Sequence, residues 1–265
     1  MKLIETTPQN SKIKKYVDRY QYFEFPGPSF LKTIPNGKFD CWTAIDGYFE
    51  IWDFDKDRFI EVGSAGIIPA TNRVSLLKIS SHLTCLNIKM NLSVMGLSIM
   101  NAYPHNILKQ NVASFLNKST QEIIISKQFL LNNEPSVNAL DELMLPYLQD
   151  KEENQITYSL LNYLRNNTQA SVSNLANQMN MTPKSLERLI KRLFGLTPIE
   201  LFNIFRFEKT TAYLQKNEAA RLIDALDFGY YDQSHFIKTC KKITGTTPKE
   251  LLRKMKLPTN DLLID

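Results

Sequence analysis

An internal repeat in the last third of this 265-residue chain constrains its fold more than any other feature. The segment 195–201 (GLTPIEL) recurs as 245–251 (GTTPKEL), and upstream of the two copies Leu186 corresponds to Phe236. Each copy follows a pattern of helix, short turn, helix and glycine, and a longer helical stretch joins them. Two such copies are typical of a pair of helix-turn-helix units.

Local signals place the ends of the helices in the first copy. Ser171 is a predicted N-cap, Thr182 is the next N-cap with Pro183 at the first helical position, and Gly195 ends that helix. Apolar residues at helical spacing predict the buried faces. The three stripes are Ile156, Leu160, Tyr163 and Leu164; Val172, Leu175, Ala176 and Met179; and Leu186, Leu189, Ile190 and Leu193.

The second helix of each copy is the predicted recognition helix. A small residue on the first helix, Ala176 or Ala225, lets the second helix cross closely, and the outer face is then free to enter a DNA major groove. A solvated helix face is the alternative for each residue, and packing or capping is a further alternative for His235. The predicted DNA-binding residues are Lys184, Ser185, Glu187, Arg188 and Lys191 in the first copy, and Gln233, Ser234, His235, Lys238 and Lys241 in the second.

The segment 228–238 (FGYYDQSHFIK), followed by Lys241, Lys242, Gly245 and the pair at 247–248, resembles the AraC/XylS transcription-regulator signature. The first copy, from Leu175 to Pro198, is similar to that family's first helix-turn-helix. The resemblance implies recognition helices in successive major grooves, roughly 34 Å apart on one face of the duplex. It covers about 155–255 and implies a DNA-binding domain at 155–258, with helix-turn-helix units at about 171–195 and 220–245 and a linker helix at about 198–216.

Three positions depart from the family pattern. Ile190 and Cys240 stand where the family usually has phenylalanine, and both remain apolar. Asp224 stands before Ala225, where an unpaired buried carboxylate would be costly. We therefore expect the first helix of the second unit to be rotated or looser than usual.

The first 150 residues predict a different fold. From Tyr20 to Lys89, short apolar runs alternate with turn residues, and Asn36-Gly37 and Asp46-Gly47 are hairpin signals. Six to eight short strands predict an antiparallel β sandwich or barrel, so the fold class is α+β with two domains. Eight aromatic residues are predicted to fill the core, with a ligand cavity as the alternative: Tyr22, Phe23, Phe25, Trp42, Tyr48, Phe49, Trp52 and Phe54.

Accessory helices are predicted after about residue 105, near Val112–Leu116 and Leu140–Leu148, and the charged segment Gln149–Gln155 is the predicted linker. The two helices could form a homodimer contact or pack on their own barrel. The AraC/XylS resemblance implies a cupin-like N-terminal barrel that binds a small-molecule effector and carries a dimerising helix pair.

Charge is distributed unevenly. Residues 1–154 contain 16 Lys and Arg against 17 Asp and Glu, whereas residues 155–265 contain 16 against 10. A basic second half is typical of binding to a polyanion, although a solvated basic surface has the same composition.

The sequence argues against several other classes of function. Three scattered cysteines and the isolated His82 and His105 do not form a zinc or cupin metal signature, so no cofactor and no enzyme activity are expected. No secretory signal or membrane-length apolar run is present, which predicts a cytoplasmic protein.

We therefore expect a sequence-specific transcriptional regulator that binds double-stranded DNA. An activating role, with RNA polymerase as a partner, is the favoured form. A cupin-type enzyme fused to a DNA-binding module and a non-specific architectural DNA binder are the alternatives.

Overall fold

The computed structural model describes residues 1–54, 56–62, 65–68, 71–91, 137–145, 152–167, 171–217, 219–254 and 262–264. The predicted α+β class is confirmed, because antiparallel strands dominate the N-terminal part and helices dominate the C-terminal part. The chain divides into two compact units. The first unit is Met1–Phe30, Lys38–Pro69 and Leu76–Asn154, and the second unit is Leu31–Gly37, Ala70–Ser75 and Gln155–Asp265.

The strands before residue 92 form two antiparallel sheets, in which residues 31–33 of β3 and Ser75 of β8 belong to the second unit. One sheet has the strand order β1-β2-β9-β4-β7, and in the other β5 pairs with both β6 and β8. The strands are β1 (Lys2–Thr6), β2 (Val17–Phe25), β3 (Ser29–Thr33), β4 (Lys38–Gly47), β5 (Glu50–Asp53), β6 (Arg58–Glu61), β7 (Ala65–Ile68), β8 (Ser75–Ile79) and β9 (Leu83–Asn91).

The two hairpin predictions are wrong. Gly37 and Gly47 both adopt the predicted positive φ, but the strands on either side of each glycine belong to different sheets. Gly47 is required by a close approach, because a Cβ there would lie 2.2 Å from the carbonyl oxygen of His82. Asn36 and Asp46 do not share the positive φ that a type I′ turn requires, so the predicted turn type is also wrong and only the glycine conformation is confirmed.

The aromatic residues of the first unit mostly fill its core, as predicted. The Trp42 and Phe49 rings pack edge to face with their centres 4.3 Å apart, and both side chains are buried. Tyr48 and Phe54 are exceptions, since 42% and 43% of their surfaces are exposed. Both residues lie beside the ends of β5, where the alternation of buried and exposed positions has stopped.

Helix α1 (Val137–Met144) is held by one buried carboxylate. Asp141 accepts hydrogen bonds from the Tyr20 hydroxyl at 2.7 Å and from the backbone N–H groups of Gln9 and Asn10. Burial is the main reason that the pKa of Tyr20 is raised. The predicted helix at Val112–Leu116 lies outside the described residues, as do 146–148 of the helix predicted at Leu140–Leu148.

The second unit contains the predicted helices. The expected linker Gln149–Gln155 is partly wrong, because α2 already begins at Glu152. The helices are α2 (Glu152–Asn166), α3 (Val172–Gln178), α4 (Pro183–Phe194), α5 (Pro198–Lys216), α6 (Gln233–Thr244) and α7 (Pro248–Lys254); a 3₁₀ helix spans Leu222–Phe228, and β10 (Leu262–Ile264) pairs with residues 31–33 of β3.

The second helix-turn-helix differs from the first in its leading helix. Leu222–Phe228 is a 3₁₀ helix rather than an α-helix, and Asp224 is only half-buried. Its carboxylate accepts a hydrogen bond from the backbone N–H of Arg221 at 2.9 Å. Asp224 therefore caps the start of a 3₁₀ helix and is not an unpaired buried charge.

Candidate nucleic-acid interface

The first helix-turn-helix is fixed by the predicted caps. The Ser171 hydroxyl accepts from the backbone N–H of Asn174 at 3.1 Å, and the Thr182 hydroxyl accepts from that of Ser185 at 3.2 Å. Gly195 ends α4 with φ +68°. Ala176 is fully buried, which leaves room for α4 to cross α3 closely. Each end of α4 is therefore determined by local chemistry.

Helix α4 separates a buried face from a charged face. Leu186 and Ile190 are completely buried on the inner side. Four predicted DNA-binding residues are exposed at spacings of three and four, which places them together on the outer side. Ser185 is only half-buried and its hydroxyl accepts from Thr182 at 3.0 Å, so it belongs to the cap. The four exposed residues are Lys184, Glu187, Arg188 and Lys191.

Helix α6 has the same construction. Phe236 and Cys240 are fully buried, and the Asp232 carboxylate caps the helix by accepting from the backbone N–H of His235 at 2.6 Å. Gly245 ends α6 with φ +73°. The exposed face mixes amide, hydroxyl, imidazole and ammonium groups. All five predicted residues lie on this exposed surface: Gln233, Ser234, His235, Lys238 and Lys241.

His235 also takes part in a local capping network. Its Nδ1 accepts a hydrogen bond from the backbone N–H of Tyr231 at 3.3 Å, and its ring meets Tyr230 edge to face at 5.3 Å. The guanidinium of Arg206, on α5, lies 5.5 Å from the centre of the Tyr230 ring. The capping alternative for His235 therefore describes an observed contact, although the residue as a whole is exposed.

Sequence reasoning missed Tyr231. Its side chain is 86% exposed, and it directly precedes the N-cap of α6. Residues at the N-terminal end of a recognition helix are those that reach base edges and phosphates. An aromatic residue directly before an aspartate, outside any apolar stripe, was the available signal.

Helix α5 joins the two helix-turn-helix units. It has 19 residues and begins with a capping box, in which Glu200 accepts from the backbone N–H of Thr197 at 2.8 Å. This backbone hydrogen bond is the main reason that the pKa of Glu200 is lowered. At a rise of 1.5 Å per residue, the helix is about 28 Å long. It buries Leu201, Ile204 and Phe205.

The cysteines and His82 have the following surroundings in the structure. Cys41, Cys85 and Cys240 are buried, and His82 pairs with Asp46 at 2.7 Å. Within the described ranges, no three histidine, cysteine or carboxylate side chains come together as a metal centre would require. In the same part of the chain, no helix has both the length and the apolar character to cross a membrane.

Comparison with known proteins agrees with this geometry. Residues 175–254 match a family model described as a helix-turn-helix domain. The transcriptional activator RhaS from Pectobacterium atrosepticum is 30% identical over 101 residues. This match covers 37% of our chain and 36% of that relative, so the chain spans about a third of the length of the curated relative it matches.

Two solved structures resemble parts of the fold. A ToxT variant from Vibrio cholerae, without ligand, has a TM-score of 0.50 at 10% identity and covers 93% of this chain and 99% of its own. The C-terminal domain of AraT from Geobacillus stearothermophilus has a TM-score of 0.34 at 24% identity over 37% of this chain and 83% of its own. The ToxT likeness concerns the fold alone.

The repeated, capped helix pairs and the matched residues define a double helix-turn-helix domain, a class of domain that binds DNA. Over residues 175–254 the chain carries such a helix-turn-helix domain, and its C-terminal region is similar to that of the activator RhaS.

Proposed function

We propose that the protein is a sequence-specific transcriptional regulator that reads two successive major grooves of double-stranded DNA. One observation carries this proposal: α4 and α6 are both anchored by capped ends and buried inner faces, and both expose a mixed basic and hydrogen-bonding face. Amide, hydroxyl and guanidinium groups read base edges, while lysine neutralises phosphate.

The proposed contacts divide by chemistry. Arg188 is suited to bidentate binding of guanine, whereas Gln233 and Ser234 can exchange hydrogen bonds with base edges. Lys184 and Lys241 lie at the ends of their helices and are suited to phosphate contact. Glu187 accepts from a cytosine amino group or orients Arg188. Tyr231 adds a hydroxyl for a phosphate beside the second recognition helix.

The test is selection of bound sites by the full chain from a random double-stranded DNA library at near-physiological salt. We expect two enriched boxes whose centres lie about one helical turn apart, and a specificity ratio of roughly 10³ or more. Binding that falls with salt but enriches no sequence would favour the architectural alternative.

Activation is the proposed regulatory outcome, with RNA polymerase as the partner, because the matched relative RhaS is named as a transcriptional activator. Transcription from a promoter that carries the selected site should then rise when the protein is added with RNA polymerase. A homodimer is also proposed, and sedimentation across a concentration series tests it directly. Repression of the same promoter would contradict the activating role.

We also propose a small-molecule effector for the first unit. Gln21, Asn87 and Lys89 are buried polar residues on adjacent strands β2 and β9. The Asn87 amide donates to the Gln21 side chain at 2.9 Å and to Asp40 at 2.7 Å, yet its own buried Oδ1 has no hydrogen-bond partner. Because an unsatisfied buried acceptor costs about 1–3 kcal/mol, a ligand that donates to Oδ1 would stabilise this unit.

A thermal-shift screen of small polar molecules tests the effector. Compounds that raise the unfolding temperature of the native protein should lose that effect in Asn87→Leu. A matched change outside the cluster, Asn10→Leu, should leave the effect intact. Equal shifts in all three proteins would contradict a site at Asn87.

A further inference from the structure

Two segments from the N-terminal half of the sequence form part of the same compact unit as the helix-turn-helix pair. They are Leu31–Gly37 and 71–75, and we name them the strap segments. Sequence reasoning placed the DNA-binding domain after residue 150 and gave these segments no role in it. Their contacts with α5 and α6 indicate otherwise.

The first strap segment supplies a core residue. Ile34 is 7% exposed and belongs to the buried cluster that includes Phe207 of α5 and Phe236 of α6. That cluster is the core of the second helix-turn-helix. Removing Ile34 would therefore leave a cavity between the joining helix and the second recognition helix.

The backbone of the same segment lies close to α5. Gly37 has φ +64°, and a Cβ there would lie 3.1 Å from Cε2 of Phe205 and 3.6 Å from Cγ2 of Ile204. A glycine at this position satisfies both the positive φ and the close approach. Residues 31–33 also pair with Leu262–Ile264 of β10, which belongs to the same unit.

The second strap segment hydrogen-bonds both helices. The Asn72 amide donates to Oε1 of Glu200 at 2.6 Å, while Oε2 of the same carboxylate accepts from Thr197. The backbone N–H of Val74 donates to the carbonyl oxygen of Ile243 at 3.1 Å. Ile243 lies in the last turn of α6, where helical carbonyl groups lack partners within the helix. Asn72 thus extends the N-terminal cap of α5, and Val74 caps the C-terminal end of α6.

We propose that the strap segments are positioning elements of the DNA-reading unit, which hold the second recognition helix at a fixed place relative to the helix that joins the two units. All the contacts that would do this lie within the unit. The Ile34 side chain fills part of its core, and the hydrogen bonds of Asn72 and Val74 connect the second strap segment to α5 and α6. DNA recognition by α6 therefore depends on residues more than 150 positions away in the sequence from α6 itself.

The experiment compares full-length variants. Ile34→Ala and Asn72→Ala change the two strap segments, and Ile34→Val is the conservative variant. Ile79→Ala is the matched control, because Ile79 is equally apolar and buried but lies in the first unit. Binding is measured on the DNA site selected by the wild-type protein and on random DNA, at a temperature where every variant is folded.

We expect Ile34→Ala to lower specific affinity about tenfold, a change equivalent to 1.4 kcal/mol, with a smaller loss on random DNA. Asn72→Ala should also lower the affinity for the selected site. Ile34→Val and Ile79→Ala should bind DNA like the wild type. Unchanged affinity in both strap variants would overturn the proposal. Higher affinity would also overturn it, since the segments would then cover the DNA-binding surface.

The affinity readout rests on the proposed DNA binding, so amide hydrogen exchange without DNA provides a separate test. In Ile34→Ala, the amides of Val74 and of α6 should exchange faster, whereas those of α4 should keep their protection. Faster exchange in α4 and α6 alike would indicate general destabilisation and would contradict positioning. If the wild-type protein selects no DNA sequence, the proposed function fails. The hydrogen-exchange result would still show whether the strap segments position α6.

Discussion

Nδ1 of His235 accepts a hydrogen bond from the backbone N–H of Tyr231 at 3.3 Å. Because this nitrogen is the acceptor, a neutral His235 ring carries its hydrogen on Nε2. The recognition helix α6 thus presents an imidazole N–H donor at its N-terminal end, held in one orientation by the residue that precedes the helix cap.

Two isosteric replacements separate the roles of His235. Glutamine places an amide donor near the position of Nε2, whereas asparagine places an acceptor near the position of Nδ1. If Nε2 donates to DNA, His235→Gln should bind the selected site within about threefold of the wild type, and His235→Asn should lose about 1 kcal/mol of binding. Titrating the selected DNA with each variant gives the comparison, and the reverse order would assign His235 to capping alone.

Arg188→Ala should weaken binding to the selected site by about 1–3 kcal/mol if the guanidinium binds guanine. The loss should fall on the selected site rather than on random DNA, because base contacts carry the sequence information. Arg58→Ala, which removes the same charge from an exposed position of β6, is the control and should leave both affinities unchanged. An equal loss on both DNAs would assign Arg188 to phosphate.

Local chemistry made the helix-turn-helix geometry predictable. Thr182, Pro183 and Gly195 determine the ends of α4 through their own hydroxyl, ring and left-handed conformation, so the sequence contains the necessary information. The exposed face of α4 follows from the same periodicity. By contrast, the pairing around Gly37 failed as a prediction, because which sheet a strand joins depends on distant segments.

The strap contacts show the same limit. Asn72 and Glu200 are separated by 128 positions, and no periodicity or spacing relates them. The only sequence signal for the 3₁₀ helix at Leu222–Phe228 was Asp224, a polar residue at an expected core position. A polar residue at an expected core position indicates that the local structure differs, but it does not reveal how.

The three cysteines should resist modification in the native protein. Burial raises the pKa of the Cys41 and Cys85 thiols to about 12 and that of Cys240 to about 11. Thiolate is the reactive form, so we expect slow reaction with a thiol reagent at about pH 8 and rapid reaction of all three in denaturant. Counting the accessible thiols by absorbance tests this, and a fast native thiol would show that at least one strand or helix opens readily.

Acid should weaken the second unit through Glu200. Its pKa is lowered, mainly by the backbone N–H of Thr197, so its stabilising effect is present above the ordinary glutamate pKa and is lost as pH falls through the lower folded value. The free energy of unfolding should therefore fall as the pH drops below the ordinary glutamate pKa of about 4.3, and Glu200→Gln should flatten part of that change. Glu250 forms the corresponding cap on α7 but is exposed, so Glu250→Gln should change the pH dependence less.

Tyr231 provides the last test of how α6 meets DNA. Its side chain is 86% exposed, and its backbone N–H donates to Nδ1 of His235. If its hydroxyl binds a phosphate, Tyr231→Phe should lose about 0.5–1.5 kcal/mol equally on selected and random DNA, because phosphate contacts are independent of sequence. Tyr231→Ala should lose more if the ring also packs on the DNA backbone. Tyr213→Phe, at an exposed tyrosine of α5, is the control; a loss confined to the selected site would instead show that Tyr231 reads a base.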